Sequence, residues 1–320
     1  MSGYVGRLAP SPTGALHLGN ARTFLIAYLR ARLSGGRLVM RMEDLDHPRD
    51  KPGAAAAAVN DLKWLGFNWD DEYAQSERKA LYREALEKLK SAGRVYPCVC
   101  TRKDVEAAQS APHEGEQLYY PGTCRGRFSS WAEAQAVKVK DAPCWRFKTD
   151  VGESVSFVDR FAGPFSMDVS KVLGDFPLCR DEEGAGYTLA VVVDDAAMGI
   201  TEVVRGDDLL GATPAQILLQ RALGLPTPEY CHVPLVVGID GKRLAKRHGD
   251  TRIAAFRDWG LSPESVIGLI AHSCGWCAEN ESISLHDLLQ KLGTVPNFMG
   301  SLPHKPWVYS SAELTNLGSF

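Results

Sequence analysis

The chain has 320 residues, 45% of them hydrophobic and 23% charged, with a formal net charge of −3 at pH 7. This is an ordinary globular composition, long enough for about two domains, and it excludes a uniformly basic nucleic-acid coat while leaving room for a local phosphate-binding patch. No run approaches the ~20 consecutive apolar residues that span a bilayer, and Met1 to Arg7 carry no apolar signal core, so no membrane partner and a cytoplasmic location are expected.

In chain order, Tyr4 to Leu8 reads as a short strand and Ala9 to Gly19, with its prolines and glycines, as a loop. Helical spacing follows, with Ala21, Phe24, Leu25, Tyr28, Leu29 and Leu33 on one face, until Ser34, Gly35 and Gly36 stop it. Arg37 to Met42 is the next strand. A strand–loop–helix–strand unit of this kind opens a parallel α/β sheet. A helix is predicted from about Gly53 to Trp64, where the alanines 54 to 58 are read as plain helix packing. Another runs from about Glu77 to Ala92, with Leu81, Leu86 and Leu89 inward.

From Val95 to about Gly186 the alternation of helix and strand breaks down, which suggests an inserted domain. Tyr187 to Val193 is continuously apolar and is predicted as a parallel strand covered on both faces. Thr201 to Gly206 reads as a strand end delivering polar residues, and Thr213 to Leu223 as a helix capped by Thr213 with Pro214 at its first position. From Ile253 onward the pattern is mostly helical, with a loose tail after Gly300. The expected organisation is a Rossmann-type first half over residues 1–94, an insertion over 95–186, a second half over 187–237, and a basic loop with a helical region over 238–320.

Ligands of open parallel sheets bind beyond the carboxyl ends of the strands, where the loop Ala9 to Asn20 lies. It opens a helix whose N-terminal amides and dipole favour anions, and His17 stands at that helix start. An imidazole there can donate to a phosphate oxygen as charge builds in a transition state. A lone His-X-Gly is most simply a loop histidine; the longer string decides otherwise. Residues 10–20, PSPTGALHLGN, resemble the HIGH motif of class I aminoacyl-tRNA synthetases, and RLAPSPTG from Arg7 is similar to the glutamyl/glutaminyl branch. Residues 243–247, RLAKR, resemble the KMSKS loop of the same family, with Arg243 in place of lysine and Ala245 in place of serine. Lysine suits such a loop as a mobile point charge for a departing pyrophosphate. The resemblance implies catalytic roles for His17, Gly19, Asn20 and Lys246, and ATP contacts from His17, Gly19, Arg243 and Lys246. Magnesium would accompany ATP.

A site for free glutamate must meet two carboxylates and one ammonium, so it needs arginine forks and an acid. Arg7 ends the first strand, Glu43 ends the second, and Ser11 adds a hydroxyl. Tyr187 and Arg205 bracket the returning half of the sheet. The resemblance implies that these five residues contact glutamate. Which arginine takes which carboxylate stays open. Glu43, Asp44 and Asp46 in isolation would read as an acidic loop facing water.

Cys98, Cys100 and Cys124 lie in the insertion, with Tyr120 four residues before Cys124. By spacing alone a metal site and three plain cysteines stand level. The pattern resembles the zinc site of glutamyl-Q tRNA(Asp) synthetases, truncated paralogues of glutamyl-tRNA synthetase, which implies one structural zinc on Cys98, Cys100, Tyr120 and Cys124. Tyr119 and His113 are local rivals for the oxygen or nitrogen position. Cys274 and Cys277 form a Cys-X-X-Cys without a second pair and read as plain cysteines, as do Cys144, Cys179 and Cys231.

A full glutamyl-tRNA synthetase resembles the sequence over residues 3–300 and continues into a helical anticodon-binding domain, whereas this sequence stops at Phe320. The resulting expectation is ATP-dependent activation of L-glutamate and its transfer to the queuosine base in the anticodon of tRNA(Asp), by a monomer. The alternatives are a truncated enzyme acting on an acceptor end and a non-catalytic RNA-binding paralogue, against which His17, Gly19 and Lys246 speak.

Overall fold

A computed structural model describes residues 3–45, 51–108, 119–137, 142–179, 182, 185–244 and 249–310. Strand β1 (Val5–Leu8) leads through the phosphate-type loop into helix α1 (Leu18–Leu33), strand β2 (Arg37–Met42), helix α2 (Ala54–Trp64), strand β3 (Asp71–Ala74) and helix α3 (Lys79–Ser91). β1, β2 and β3 form one parallel sheet in that order. The turn between α1 and β2 needs a glycine at position 36, because a Cβ there would lie 2.4 Å from the Tyr4 carbonyl oxygen. α1 buries Leu25, Ile26 and Leu29, and its fully covered Arg22 ties the helix to Ser273 and to the Pro234 carbonyl. In α3 it is Tyr82, Ala85, Leu86 and Leu89 that turn inward; Leu81, expected there, is exposed, since it precedes the buried stripe by one position.

The stretch expected as an insertion contributes β4 (Val95–Cys98), α4 (Arg102–Ala108), α5 (Trp131–Val137), β5 (Cys144–Phe147), β6 (Ser154–Asp159), β7 (Gly163–Asp168), α6 (Val169–Val172) and β8 (Pro177–Cys179). Its pairings are antiparallel: β4 with β5, β5 with β8, and the hairpin β6–β7. Here the local alternation of strand and helix does give way, as the sequence suggests.

Tyr187 to Val193 is not a strand. It forms the first part of helix α7 (Tyr187–Ala197). A short apolar run does not tell a buried strand from a buried helix. What extends it is Asp194-Asp195-Ala196-Ala197, and both aspartates are buried against arginines, so the run is one side of an eleven-residue buried helix. Strand β9 (Glu202–Gly206) follows, then helix α8 (Thr213–Leu223) and strand β10 (Glu229–Val233), which pairs in parallel with β9. Thr213 is not the cap of α8: a 3-10 turn over Asp207–Ala212 runs straight into the helix, and Thr213 is already helical at φ −59° and ψ −42°.

The two parallel sheets meet at β1 and β9. The Thr201 amide donates to the Val5 carbonyl at 2.9 Å, and Val5 N donates to the Thr201 hydroxyl at 2.9 Å. Strands therefore lie in the order 3-2-1-9-10, with the chain reversing its direction of build between β1 and β9. That is the switch point at which open α/β sheets bind ligands.

After strand β11 (Val236–Val237) come α9 (Ile253–Asp258), α10 (Pro263–Ser273) and α11 (Leu285–Gly293). The segment after Gly300 is not loose as far as Ser310. Leu302 and Tyr309 are buried, and β12 (Trp307–Val308) pairs in parallel with β11. Apolar burial, which composition cannot register, anchors it.

Candidate active site

His17 caps α1. Its Nδ1 accepts from the Gly19 amide at 3.1 Å and the Asn20 amide at 3.4 Å, while the Asn20 side chain accepts from His17 N. This reciprocal box satisfies amides that a helix start leaves open. Gly19 permits it, since a Cβ there would press on the imidazole at 3.1 Å. Burial, with help from the nearby Arg243 charge, pulls the His17 pKa down to about 4. The ring is thus neutral, Nδ1 is the acceptor, and Nε2 carries the proton as a donor. His17, Asn20, Ser11, Thr13, Gly14 and Arg243 share the lining of one cleft of about 320 Å³. Ala58, read as helix packing alone, also lines it.

The loop bearing the second motif is fixed at both ends beside this cleft. Arg243 bridges to Val237 and pairs with Asp208 at 2.9 Å. Beyond it, Leu18 N donates to the Thr251 carbonyl and Ile253 N to the Leu16 carbonyl, each at 2.9 Å. Lys246 and Ala245 lie outside the described residues, as do Asp46 and His113.

At the switch point, Arg7 is buried and donates through Nη1 to the Val204 carbonyl at 2.7 Å. Its Nε, 3.9 Å from Asp195, is buried without a hydrogen-bond partner. Glu43, 9% exposed, accepts from Arg41 at 3.1 Å, and Arg41 also holds Asp195 at 2.5 Å. Burial raises the Glu43 carboxyl against the pull of Arg41 and Arg7, so a cationic ligand would find an acid whose charge it stabilises. Tyr187 stands at the first turn of α7 and is exposed. Ser11 is exposed in the loop above. Arg205 is buried, donating from Nε to His232 at 3.0 Å and from Nη2 to Thr213 at 2.8 Å and Gln216 at 2.9 Å. Its Nη1 is buried and unpartnered. Buried donors without partners are rare in folded proteins and are explained when a ligand supplies the acceptor.

The sequence gives no site role to Arg41, Asp195, His232, Thr213 or Gln216. Arg41 had a signal, a charge in the middle of an apolar strand; the others become neighbours only through the fold. Asp44, grouped with Glu43 by sequence, is structural: it accepts from the Ser76 amide at 2.8 Å and hydroxyl at 2.6 Å.

Away from the cleft, Cys98, Cys100 and Cys124 bring their sulfurs within 4.8 Å of one another and can hold a metal ion. The Tyr120 hydroxyl lies 3.2 Å from Cys98 and 3.6 Å from Cys100, and Cys100 lies 3.6 Å from Cys124. Metal bonds of ~2.3 Å to sulfur and ~2.0 Å to oxygen in a tetrahedron put ligand atoms roughly 3.5–3.8 Å apart, so these four fit with small adjustments. Buried Arg146 donates to Cys98 at 3.2 Å and lies 3.7 Å over the Tyr120 ring, offsetting anionic charge there. Cys274 is buried, and Cys277 is half-buried near Lys291.

The sequence matches the family described as "tRNA synthetases class I (E and Q), catalytic domain" over residues 5–315. The chain belongs to the class I glutamyl/glutaminyl-tRNA synthetase family. It is an enzyme, a ligase of the aminoacyl-tRNA synthetase type. Among curated members, it is 50% identical over 295 residues to a glutamyl-Q tRNA(Asp) synthetase of Rhodopirellula baltica, covering 88% of each chain. It is 41% identical over 282 residues to a glutamate–tRNA ligase of Aquifex aeolicus, covering 88% of this chain and 59% of that one. Among solved structures it resembles a glutamate tRNA ligase of Elizabethkingia meningosepticum in complex with its amino acid, with a TM-score of 0.79, 26% identity, and coverage of 98% of this chain and 68% of that one. Family membership agrees with the α/β synthetase fold. Among the described residues no helix is long and apolar enough to cross a membrane.

Proposed function

We propose that this synthetase activates L-glutamate with ATP and transfers it to the queuosine base in the anticodon of tRNA(Asp). The observation that carries the amino-acid assignment is the pair of buried, unpartnered donors, Arg7 Nε and Arg205 Nη1, on either side of the switch point with Glu43 nearby. Two cationic donors and one acid complement two carboxylates and one ammonium. Tyr187 and Ser11 complete the wall.

In the first step a glutamate α-carboxylate oxygen bonds to the α-phosphorus of ATP, and the bond to pyrophosphate breaks. His17 Nε2–H donates to the phosphate oxygen on which charge builds, with Gly19 and Asn20 amides fixing the ring. Arg243 and Lys246 neutralise the departing pyrophosphate as point charges. Magnesium bound with ATP supplies further phosphate charge neutralisation. In the second step a queuosine hydroxyl oxygen bonds to the acyl carbon, AMP leaves, and the hydroxyl proton is released to the AMP phosphate or solvent. Catalysis here is positioning and charge stabilisation.

The queuosine assignment is supported by the relatives. The glutamyl-Q tRNA(Asp) synthetases of Rhodopirellula baltica and Nitratidesulfovibrio vulgaris are covered over 88% and 97% of their length, the Aquifex ligase over 59%. Zinc on Cys98, Cys100, Tyr120 and Cys124 would staple the insertion. The decisive experiment supplies labelled glutamate, ATP and tRNA(Asp), with and without queuosine. Label confined to the queuosine-bearing tRNA is expected; equal labelling of both, or labelling of tRNA(Glu) alone, sinks the reading in favour of acceptor-end chemistry. Stoichiometric zinc in fresh protein, lost in Cys98→Ser, is expected; protein without zinc overturns the metal assignment.

A further inference from the structure

The hairpin β6–β7 lies in the inserted stretch, yet its last β6 residue reaches the amino-acid cradle from behind. Asp159 is almost fully buried and accepts from the amides of Phe161 at 2.9 Å, Ala162 at 2.8 Å and His232 at 3.0 Å. It also pairs with His232 Nδ1 at 2.6 Å. Burial opposes charge on Asp159, but these donors outweigh it and hold the carboxyl below its usual range, so Nδ1 of His232 is the side that carries a proton. The opposite nitrogen, Nε2, accepts from Arg205 Nε at 3.0 Å. His232 is 1% exposed and burial lowers its pKa, which keeps it in the neutral tautomer that has one donor and one acceptor. Thr213 and Gln216 take both remaining directions on Arg205 Nη2. Every guanidinium edge except Nη1 is thus occupied.

We propose that the Asp159–His232 pair is a positioning dyad that aims Arg205 Nη1 at a substrate carboxylate, so that the inserted hairpin sets glutamate affinity without touching glutamate. The assignment rests on Arg205 being a glutamate contact. A guanidinium held through three of its five N–H groups, on Nε and Nη2, leaves Nη1 as the one free nitrogen, so Arg205 presents a directed donor, and lateral freedom at Nε is what the dyad removes. Loosening it costs affinity for the amino acid and leaves ATP handling, which lies at His17 and Arg243, in place.

The test is glutamate-dependent ATP–pyrophosphate exchange with His232→Phe, His232→Gln and Asp159→Asn, alongside Arg205→Ala. His232→Phe removes the acceptor for Arg205; it is expected to raise the KM for glutamate by tenfold or more while changing kcat and the KM for ATP less than twofold. In His232→Gln the amide oxygen takes the place of Nε2, and most of the glutamate KM is expected to return. Asp159→Asn frees the ring to turn and is expected to fall between them. Thermal melts identify any variant that fails to fold, and the His232→Gln and Asp159→Asn comparison then carries the result. If Arg205→Ala raises the glutamate KM but the folded dyad variants do not, the positioning role is overturned. A loss shared equally by kcat, ATP and glutamate overturns it too, since that is the mark of general damage. If Arg205→Ala leaves the glutamate KM unchanged, the glutamate reading of the cradle itself has failed.

Discussion

Arg205 and Arg243 both belong to the proposed site, but Arg205 is 5% exposed and tied through three side-chain acceptors, while the Arg243 side chain is 71% exposed and pairs with Asp208 alone among its described salt bridges. The difference matches what each would meet. A free amino acid is small, and discrimination needs donors fixed to a fraction of an ångström in a medium that does not screen them. A triphosphate is large and multiply charged, and its leaving group must depart, so a movable charge in water serves it better. The proposed site thus sets a dry, over-determined cradle for the amino acid against a wet and adjustable side for the phosphates.

That contrast can be broken at several points. Arg205→Ala leaves a buried carboxylate contact unmade, which costs about 2–5 kcal/mol, or roughly 30- to 5000-fold in kcat/KM for glutamate in pyrophosphate exchange. His17→Asn separates two jobs. Asparagine is a good helix cap, so the melting temperature should stay close to that of the wild type, while loss of the Nε2–H donor should lower kcat by about 100-fold or more in the same assay. Arg243→Ala removes an exposed charge; the KM for ATP should rise by about fivefold at low salt, and the effect should shrink as ionic strength rises, whereas that of Arg205→Ala should not.

The smallest effect concerns acid. The folded-state pKa of His17 lies near 4, below the ordinary value of 6.5. Above the ordinary value neither state binds the proton and nothing is lost. As pH falls from there toward 4, the unfolded chain takes up a proton that the folded chain refuses, so stability drops, and below 4 the loss is complete. Thermal melts across this window should show the wild type losing a few degrees more than His17→Asn. Parallel curves would mean that the ring is less shielded than its cap geometry implies.

Periodicity located the strands and helix starts of the proposed site, while the roles of its residues came from the motif resemblance. Arg7 and Arg205 lie near the ends of β1 and β9, Glu43 follows β2 directly, and His17 caps α1. Spacing alone left the cysteines undecided and the resemblance singled them out; the fold gathers Cys98, Cys100 and Cys124, with the Tyr120 hydroxyl against Cys98. Three features were not legible in the sequence. Helix α7 was read as a strand because seven apolar residues do not distinguish two kinds of buried segment. His232 and Asp159 are 73 residues apart, and no local pattern joins them. The segment after Gly300 looked loose because its anchors, Leu302 and Tyr309, are single apolar residues spaced without period.

That last segment also bears on handling of the enzyme. β12 lies along β11, with Trp307 N bonded to the Leu235 carbonyl at 3.0 Å and Tyr309 N to the Val237 carbonyl at 2.8 Å. Val237 is in turn the bridge partner of Arg243. The chain near residue 309 is therefore a splint for the root of the basic loop, and a purification tag or proteolytic nick that lifts it would be read out as weakened ATP use rather than as a change at a remote end.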